Sequence, residues 1–241
     1  MVKLISINID NHLIDKHNFE QIFYYEEIPK LITEKHKISL DKAKQIATNE
    51  YKKVSVLDPN FYRPQFWFDK FKLTPTPKWE DITKDMTHQV NIHREAPDSF
   101  QRLRKLAPVV IITKHPKEFI RAKLHASGLR GEYSNIFSAV DDQNIAKVDE
   151  RLFAQMLKVY GFPAEEVFHI GDNEELDHKL PQKVGIPSAV VDREGVKKGK
   201  HVVPSLKQAE MKMMESRLIA QEKQEKKPKM VYFPKKSLFE F

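Results

Sequence analysis

Short runs of apolar residues alternate along this chain with segments of helical periodicity. Such runs are typical of strands that are buried on both faces of a parallel sheet. Five strands are predicted on this basis: Leu4–Ile9, Val109–Ile112, Ile136–Ala139, Val167–Ile170 and Ser188–Val191. Between them the spacing predicts three helices: Pro97–Leu106, Lys117–Ser127 and Asp149–Tyr160, the last two ending at glycines. This alternation predicts an α/β fold with a doubly wound, Rossmann-like parallel sheet.

The stretch from about residue 16 to residue 95 interrupts the alternation, because it has no run typical of a buried strand. Its spacing instead predicts four helices: Asn18–Ile28, Ser39–Val54, Pro64–Phe71 and Trp79–Val90. Aromatic residues concentrate here, and an aromatic stripe is more often core than a ligand site. We therefore predict that residues 16–95 form a helical domain, inserted into a core made of residues 1–15 and 96–196.

Beyond residue 196 the pattern changes to a charged helix followed by a short arm. A helix is predicted over Ser205–Lys226, and it carries two apolar stripes. Met211, Met214 and Leu218 form one stripe, and Leu206, Ala209 and Met213 lie beside it. Lys227–Phe241 is predicted to be an extended arm that becomes ordered only when it docks on something. Residues 197–241 are thus a C-terminal extension.

The net charge of the chain lies in that extension. The 241 residues include 41 Lys or Arg and 34 Asp or Glu, a formal net charge of +7. Residues 197–241 hold twelve of these bases and five of these acids, so the rest of the chain is neutral overall. A basic tail is attracted to phosphate-rich surfaces such as nucleic acid, although a merely solubilising terminus has the same composition.

The composition also excludes several kinds of site and of protein. The absence of cysteine excludes disulfides, thiolate metal sites and cysteine nucleophiles. No window approaches the roughly 20 apolar residues of a membrane-spanning helix, and the N-terminus has no signal-peptide pattern. We therefore expect a cytoplasmic protein with no membrane partner.

Polar residues follow the predicted strands where a ligand would bind. In an open parallel sheet that place is just beyond the carboxyl ends of the strands. The residues found there are Asn8, Asp10, Thr113, Lys114, Gly171, Asp172 and Asp177, with Lys147 upstream of a helix. Carboxylates, a hydroxyl group and a lysine in one pocket suit a magnesium ion and a phosphoryl group.

Four segments around these residues resemble the motifs of the haloacid dehalogenase (HAD) superfamily. Residues 7–15 resemble the first motif, usually hydrophobic-Asp-x-Asp-Gly-Thr-Leu-x-Asp, and residues 109–113 resemble the second, an apolar strand that ends in Ser or Thr. Lys147, followed by a helix that contains Phe153, is similar to the third, and residues 169–177 to the fourth, a Gly-Asp pair with a second acid. The resemblance covers about residues 3–195, and it implies that the helical insertion is a C1-type cap.

The resemblance also implies a role for each motif residue. In the family, the first Asp of motif one attacks phosphorus and forms an aspartyl-phosphate. Carried over by position, Asp10 is the general acid and base, Thr113 and Lys147 contact the phosphate, and Asp172 and Asp177 hold Mg²⁺. The implied substrate is a small phosphorylated molecule.

The nucleophile position itself holds Asn8. A neutral amide is a poor nucleophile and a weaker ligand for a hard cation, and loss of a nucleophile costs about a million-fold in turnover. Asn11 and His12 also replace the usual Gly and Thr of this motif. We therefore predict a HAD-like phosphohydrolase that is catalytically impaired or inactive, with Mg²⁺ as its cofactor only if the site functions.

The other motif residues survive, and two explanations of this stay open. One is residual binding of phosphate or Mg²⁺, or water-based chemistry that uses Asp10. The other is structural, with Lys147 and Asp172 paired in a buried polar network. His12 is interpreted as a packed or solvent-facing histidine, because no partner acid is identifiable.

The end of the chain suggests an alternative function. Lys235–Phe241 is similar to peptides that bind sliding clamps, with Leu238 and Phe241 in register, although Lys235 replaces the usual Gln and the final aromatic residue is missing. Leu238, Phe239 and Phe241 would also suit contact with RNA or a ribonucleoprotein, or packing on their own domain. The alternative is thus a non-catalytic binding module whose tail contacts a nucleic-acid-associated partner.

Overall fold

A six-stranded parallel sheet forms the centre of the protein. The computed structural model describes residues 1–11, 13–14, 19–74, 78–129 and 131–225, with side chains up to residue 216. The strand order is β3-β2-β1-β4-β5-β6, and every pair is parallel. The strands are β1 (Leu4–Ile7), β2 (Val109–Thr113), β3 (Asn135–Ser138), β4 (Val167–Gly171), β5 (Ser188–Val191) and β6 (Val202–Val203). The predicted doubly wound α/β fold is confirmed.

Helices cover both faces of this sheet, because adjacent residues of a strand point to opposite faces. Leu4 of β1 belongs to one apolar cluster and Ile5 to another. The Ile5 face packs against α6 (Ala96–Leu106), α7 (Lys117–Ala126) and α11 (Leu206–Glu225). The Leu4 face packs against α9 (Glu150–Tyr160). Both faces of the sheet are therefore buried, as the apolar runs predict.

Several elements differ from those that the sequence predicts. The edge strand β6 was not predicted, since a pair of valines is too short to give a strand pattern. The short helices α8 (Ala139–Gln143) and α10 (Leu180–Lys183) were missed for the same reason. In α11 the buried stripe is Leu206, Ala209 and Met213, whereas Met211 and Met214 are exposed. Leu218 lies beyond the described side chains.

The segment between β1 and α6 is helical in its described part. Helix α1 (Phe19–Ile22) continues through a π-helical segment, Phe23–Glu27, into α2 (Ile28–His36). The helix predicted to stop at Ile28 thus continues to His36, with Pro29 placed in the first turn after the π-helical segment. The remaining helices are α3 (Leu40–Tyr51), α4 (Pro64–Lys70) and α5 (Trp79–Asp85). The helix predicted over Trp79–Val90 ends early, in the 3₁₀ turn Met86–Gln89. The domain limits proposed above stay a prediction.

An aromatic cluster joins this helical segment, called the cap below, to the α/β core. Phe119 of α7 contacts rings of the cap, with centroids 5.7 Å from Phe19, 5.1 Å from Phe23 and 6.0 Å from Trp79. These four side chains are at most 9% exposed. Because aromatic pairs add to the free energy gained by burial, the cap is held firmly over α7.

Some residues singled out above lie outside the described part of the chain. They include His12 and the arm residues Leu238, Phe239 and Phe241. In the part of the chain that the structure describes, no helix is both long and apolar enough to cross a bilayer.

Candidate functional site

The carboxyl ends of β1, β2 and β4 meet at one cavity. Ile7 of β1 pairs with Ile111 of β2 and with Ile170 of β4, so the loops after these strands begin at one level. Together with the cap helix α1, these loops enclose a cavity of about 250 Å³. Its polar lining consists of Asn8, Asp10, Asn11, Glu20, Lys114, His115, Lys123, Asp172 and Asn173. The parallel topology therefore brings parts of the first and fourth motifs, and the two residues that follow the second, into one site.

Two amide groups face the carboxylate of Asp172. Asn8 donates from Nδ2 to Oδ1 of Asp172 at 3.4 Å, and Asn11 donates from Nδ2 to Oδ2. Asn11 has a left-handed backbone (φ 64°), a conformation that Asn tolerates better than most residues. The other end of the Asn8 amide, Oδ1, accepts a hydrogen bond from the backbone N–H of Asp10 at 3.3 Å. Each oxygen of the Asp172 carboxylate therefore has an N–H group directed at it.

A buried lysine forms the opposite wall of the cavity. Nζ of Lys123, on α7, lies 3.0 Å from Oδ1 of Asp10 and 2.6 Å from Oε1 of Glu20 in the cap. The ring of His115 lies between the same acids, 3.6 Å from Glu20 and 3.9 Å from Asp10. This arrangement connects the loop after β1, the core helix α7 and the cap through charge.

The pKa values of this group follow from burial and from the two acids. Burial lowers the pKa of Lys123, but attraction to Asp10 and Glu20 outweighs it and raises that pKa above its usual value. Burial raises the pKa of Glu20, but the charge of Lys123 outweighs it and keeps that pKa below 4.5. Burial also lowers the pKa of His115, against the pull of Glu20. At neutral pH Lys123 and Glu20 are therefore charged and His115 is neutral.

The two residues expected to contact phosphate lie outside the cavity lining. Thr113 is buried, and its Oγ1 accepts a hydrogen bond from the backbone N–H of His115 at 3.1 Å. Lys147 is exposed and lines a separate groove together with Glu175. Lys114, the residue after Thr113, does line the cavity. The described residues therefore bring Lys114 and Lys123, rather than Thr113 and Lys147, to this site.

Asp177, the second acid of the fourth motif, is turned into the protein. It is 3% exposed, and its Oδ2 accepts hydrogen bonds from the backbone N–H groups of Asp172 at 3.0 Å and Asn173 at 2.8 Å. Its Oδ1 lies 3.0 Å from Nε2 of His169, whose Nδ1 lies 2.8 Å from Oγ of Ser6. A Cβ atom on Gly171 would come within 2.1 Å of Asp177, so this close approach requires glycine. Asp177 holds the loop that carries Asp172.

Glu20, His115 and Lys123 line the cavity but were not singled out in the sequence. For Lys123 a signal was present. It stands one helical turn after Phe119 and Ile120, beside Leu124, on the buried face of α7. A lysine on an apolar face needs an acidic partner. The identity of that partner depends on how the cap lies over α7, which periodicity does not reveal.

The described lining residues have a small net negative charge. Asp10, Glu20 and Asp172 contribute three carboxylates, and Lys114 and Lys123 contribute two ammonium groups, which leaves a formal charge of −1. Lys123 is already neutralised by two acids. Lys114 is the other cation of the described lining. Unlike Lys123, it has no pair of acids from the described residues within ion-pairing distance.

Known proteins share this architecture at low sequence identity. A HAD phosphatase from Thermococcus onnurineus is 19% identical over 88% of this chain and 97% of its own, with a TM-score of 0.66. A 2-haloacid dehalogenase from Pseudomonas syringae is 17% identical over 90% and 100%, with a TM-score of 0.61. A structure from Bacillus subtilis, described as a HAD-hydrolase bound to magnesium, is 15% identical over 88% of this chain and 99% of its own, with a TM-score of 0.58. At these identities the likeness establishes the fold alone.

Comparison of sequences identifies the family. No curated protein matches the chain. A family profile described as haloacid dehalogenase-like hydrolase matches residues 15–185. This match begins after Asn8, Asp10 and Asn11, so it carries no information on the nucleophile motif. Since it nevertheless covers more than half of the sequence, the chain belongs to the haloacid dehalogenase-like hydrolase family.

Proposed function

We propose that this protein is a haloacid dehalogenase-like hydrolase in which aspartyl-phosphate chemistry is lost or strongly impaired. The main support is the pair of amide groups, from Asn8 and Asn11, that donate to the two carboxylate oxygens of Asp172. In the mechanism implied by the family, the nucleophile and Asp172 would share a cation. Here neutral amides occupy that side of Asp172.

The residues around Asp172 fit Mg²⁺ poorly. A hard cation takes oxygen ligands and is usually held by one or two carboxylates together with the substrate. The N–H groups of Asn8 and Asn11 face the carboxylate that would be one ligand, and Oδ1 of Asn8 is engaged by the backbone of Asp10. We therefore assign no catalytic step to Mg²⁺ in the wild-type chain.

The charge of the cavity supports the same proposal. A phosphate monoester brings a negative charge that the described lining, at −1, repels unless a cation is added. Lys123 offers little compensation, because Asp10 and Glu20 already pair with it. Binding of a phosphoryl group would have to break that ion-paired arrangement.

Hydrolysis of a generic aryl phosphate ester with Mg²⁺ tests the proposal. We expect no turnover by the wild-type protein above the rate without enzyme. Asn8→Asp restores the nucleophile, and because such a group is worth about a million-fold, this variant should gain measurable Mg²⁺-dependent turnover. Asn8→Asp/Asp10→Asn is the matched control and should lose it. Mg²⁺-dependent turnover by the wild type that disappears in Asp10→Asn would contradict the proposal.

A second function, binding through the basic extension, is supported by the charge distribution. The whole net charge of +7 lies in residues 197–241, while the rest of the chain is neutral overall. We propose that this extension contacts a polyanionic or nucleic-acid-associated partner, such as RNA, a ribonucleoprotein or a sliding clamp. Removal of residues 227–241 should abolish that binding and leave the unfolding transition unchanged. Equal capture of a partner with and without these residues would contradict this function.

A further inference from the structure

Three side chains with lone pairs for a metal ion gather outside the cavity just described. They are Glu174, His178 and His201, and their candidate ligand atoms all lie within 4.8 Å of one another. All three are partly buried, so an ion could reach them from solvent while their side chains stay restrained. Two imidazoles and a carboxylate are a set of ligands that Zn²⁺ and related ions use.

The fold fixes the backbone that carries each of these residues. Glu174 follows β4, and His178 lies in the π-helical segment Glu175–Lys179. His201 immediately precedes the edge strand β6, and its carbonyl oxygen accepts a hydrogen bond from the backbone N–H of Val190 in β5 at 2.9 Å. The positions are thus set by neighbouring strands of one sheet, which provides the rigidity that a metal site needs.

The existing contacts bring the two rings and the carboxylate close together. The rings of His178 and His201 are stacked at 3.5 Å with 7° between their planes. Nε2 of His201 lies 2.8 Å from Oε2 of Glu174. Nδ1 of His178 lies 2.9 Å from Oγ of Ser188. This last contact leaves Nε2 of His178 for a ligand, and an outer partner of this kind is usual for metal-binding histidines.

We propose that Glu174, His178 and His201 form a binding site for a divalent transition-metal ion of the Zn²⁺ type. With metal–nitrogen and metal–oxygen distances of about 2.0–2.2 Å, the ion takes the place of the proton between His201 and Glu174. The nitrogen lone pairs of two parallel stacked rings lie in parallel planes and do not converge on one point. One ring must therefore turn out of the stack for both nitrogens to reach the ion. Three protein ligands leave a fourth position for water.

The ligand set distinguishes this site from the one that the family implies. Imidazole nitrogen suits Zn²⁺, Ni²⁺ and Cu²⁺, whereas Mg²⁺ takes oxygen ligands. The nearby ammonium groups of Lys179 and Lys212 oppose a cation, but each has another acceptor, Glu175 and the carbonyl of Lys200 respectively. A bound ion would tie the start of the C-terminal extension to the loop after β4.

Direct metal binding by the full chain tests this proposal and does not depend on hydrolysis. After dialysis against a chelator, we expect one Zn²⁺ per chain by calorimetry, no competition from Mg²⁺, and a tetrahedral d–d spectrum with Co²⁺. His178→Gln and His201→Gln should each weaken Zn²⁺ binding by at least about 100-fold, and Ser188→Ala by about 10-fold to 100-fold through the outer contact.

His125→Gln is the matched control, since His125 is an exposed histidine on α7, and its affinity for Zn²⁺ should equal that of the wild type. Glu174→Gln changes a partly exposed side chain and serves as a further ligand variant if a histidine variant fails to fold, as judged by circular dichroism. The absence of saturable Zn²⁺ binding by the wild type would overturn the proposal. So would binding that survives in His178→Gln, His201→Gln and Glu174→Gln alike.

Discussion

Two polar networks lie near Asp172, one of them buried and the other partly open to the cavity, and they differ in what they connect. The inner network consists of Ser6, His169 and Asp177. The cap–core network consists of Asp10, Glu20, His115 and Lys123. The inner network joins β1, β4 and the loop that follows β4, and none of its members lines the cavity. The cap–core network joins α1 to α7, and all of its members line the cavity.

This difference separates stability from function. The polar atoms of the inner network are satisfied within the α/β core, so its members are tied to the fold whatever the cavity does. The cap–core network places charges in the wall of a cavity, so a charged ligand has to compete with its ion pairs. Retention of Asp177 is therefore explained by the stability of the fold, whereas Asp10 lies in the cavity wall, where it also affects ligand binding.

The largest expected effect follows from removing the inner acid. Asp177→Ala leaves His169 and the backbone N–H groups of Asp172 and Asn173 without their acceptor in a buried position. Each buried donor left without its acceptor costs about 1–3 kcal/mol, so the three together cost about 3 kcal/mol or more. We expect that loss in the free energy of unfolding, measured as a lower urea midpoint with an unchanged slope.

Asp177→Asn is the matched control for this loss. Its remaining oxygen still accepts from the backbone of Asp172 and Asn173, and its amide donates to His169 if the ring changes tautomer. The cost should therefore fall to about 1 kcal/mol. If alanine and asparagine were equally tolerated, the inner network would have no role in stability.

An intermediate effect is expected in the cap–core network. Lys123→Met removes the ammonium group, which is 5% exposed, and leaves Asp10 and Glu20 facing each other. Since both acids keep some contact with solvent, we expect a loss of about 2–3 kcal/mol at neutral pH, less than for a fully buried pair. Lys123→Met/Glu20→Gln should recover part of it. An additive double variant would mean that the two residues do not interact.

The pH dependence of that loss has a defined sign. Lys123 keeps the pKa of Glu20 below its usual 4.5, so this pair stabilises the protein above that pH and less as the pH falls through the folded-state pKa. In Lys123→Met, burial without the lysine raises the pKa of Glu20. The difference in stability between wild type and variant should therefore be largest near neutral pH and shrink below about pH 4.5. Urea unfolding at several pH values measures it, and a constant difference would contradict it.

Local rules of the sequence account for the part of the site that lies at the strand ends. Asn8, Asp10 and Asp172 were predicted together because the carboxyl ends of parallel strands meet at one edge. Lys123 and Glu20 were missed because their contact depends on how the cap lies over α7. The exposed position of Lys147 depends on the path of the chain between α8 and α9, where residues 144–149 form no regular element whose periodicity could predict it.

The smallest expected effect concerns Asn11, whose amide faces Asp172. Asn11→Gly removes one hydrogen bond but also relieves a left-handed backbone (φ 64°), so we expect less than about 1 kcal/mol of change in stability. Asn11→Ala loses the same bond and keeps the strain, at a cost about 1–2 kcal/mol higher.

Combining Asn8→Asp with Asn11→Gly also sharpens the comparison of the two networks. Asn8→Asp/Asn11→Gly opens both oxygens of Asp172 to a cation, so Mg²⁺ should raise its melting temperature more than that of Asn8→Asp alone, because a ligand of the folded state stabilises it by mass action. The inner network is unchanged in both variants, and their stability without Mg²⁺ should be similar. If Mg²⁺ instead stabilised the wild type as strongly, the amides would not be what keeps the cation from Asp172.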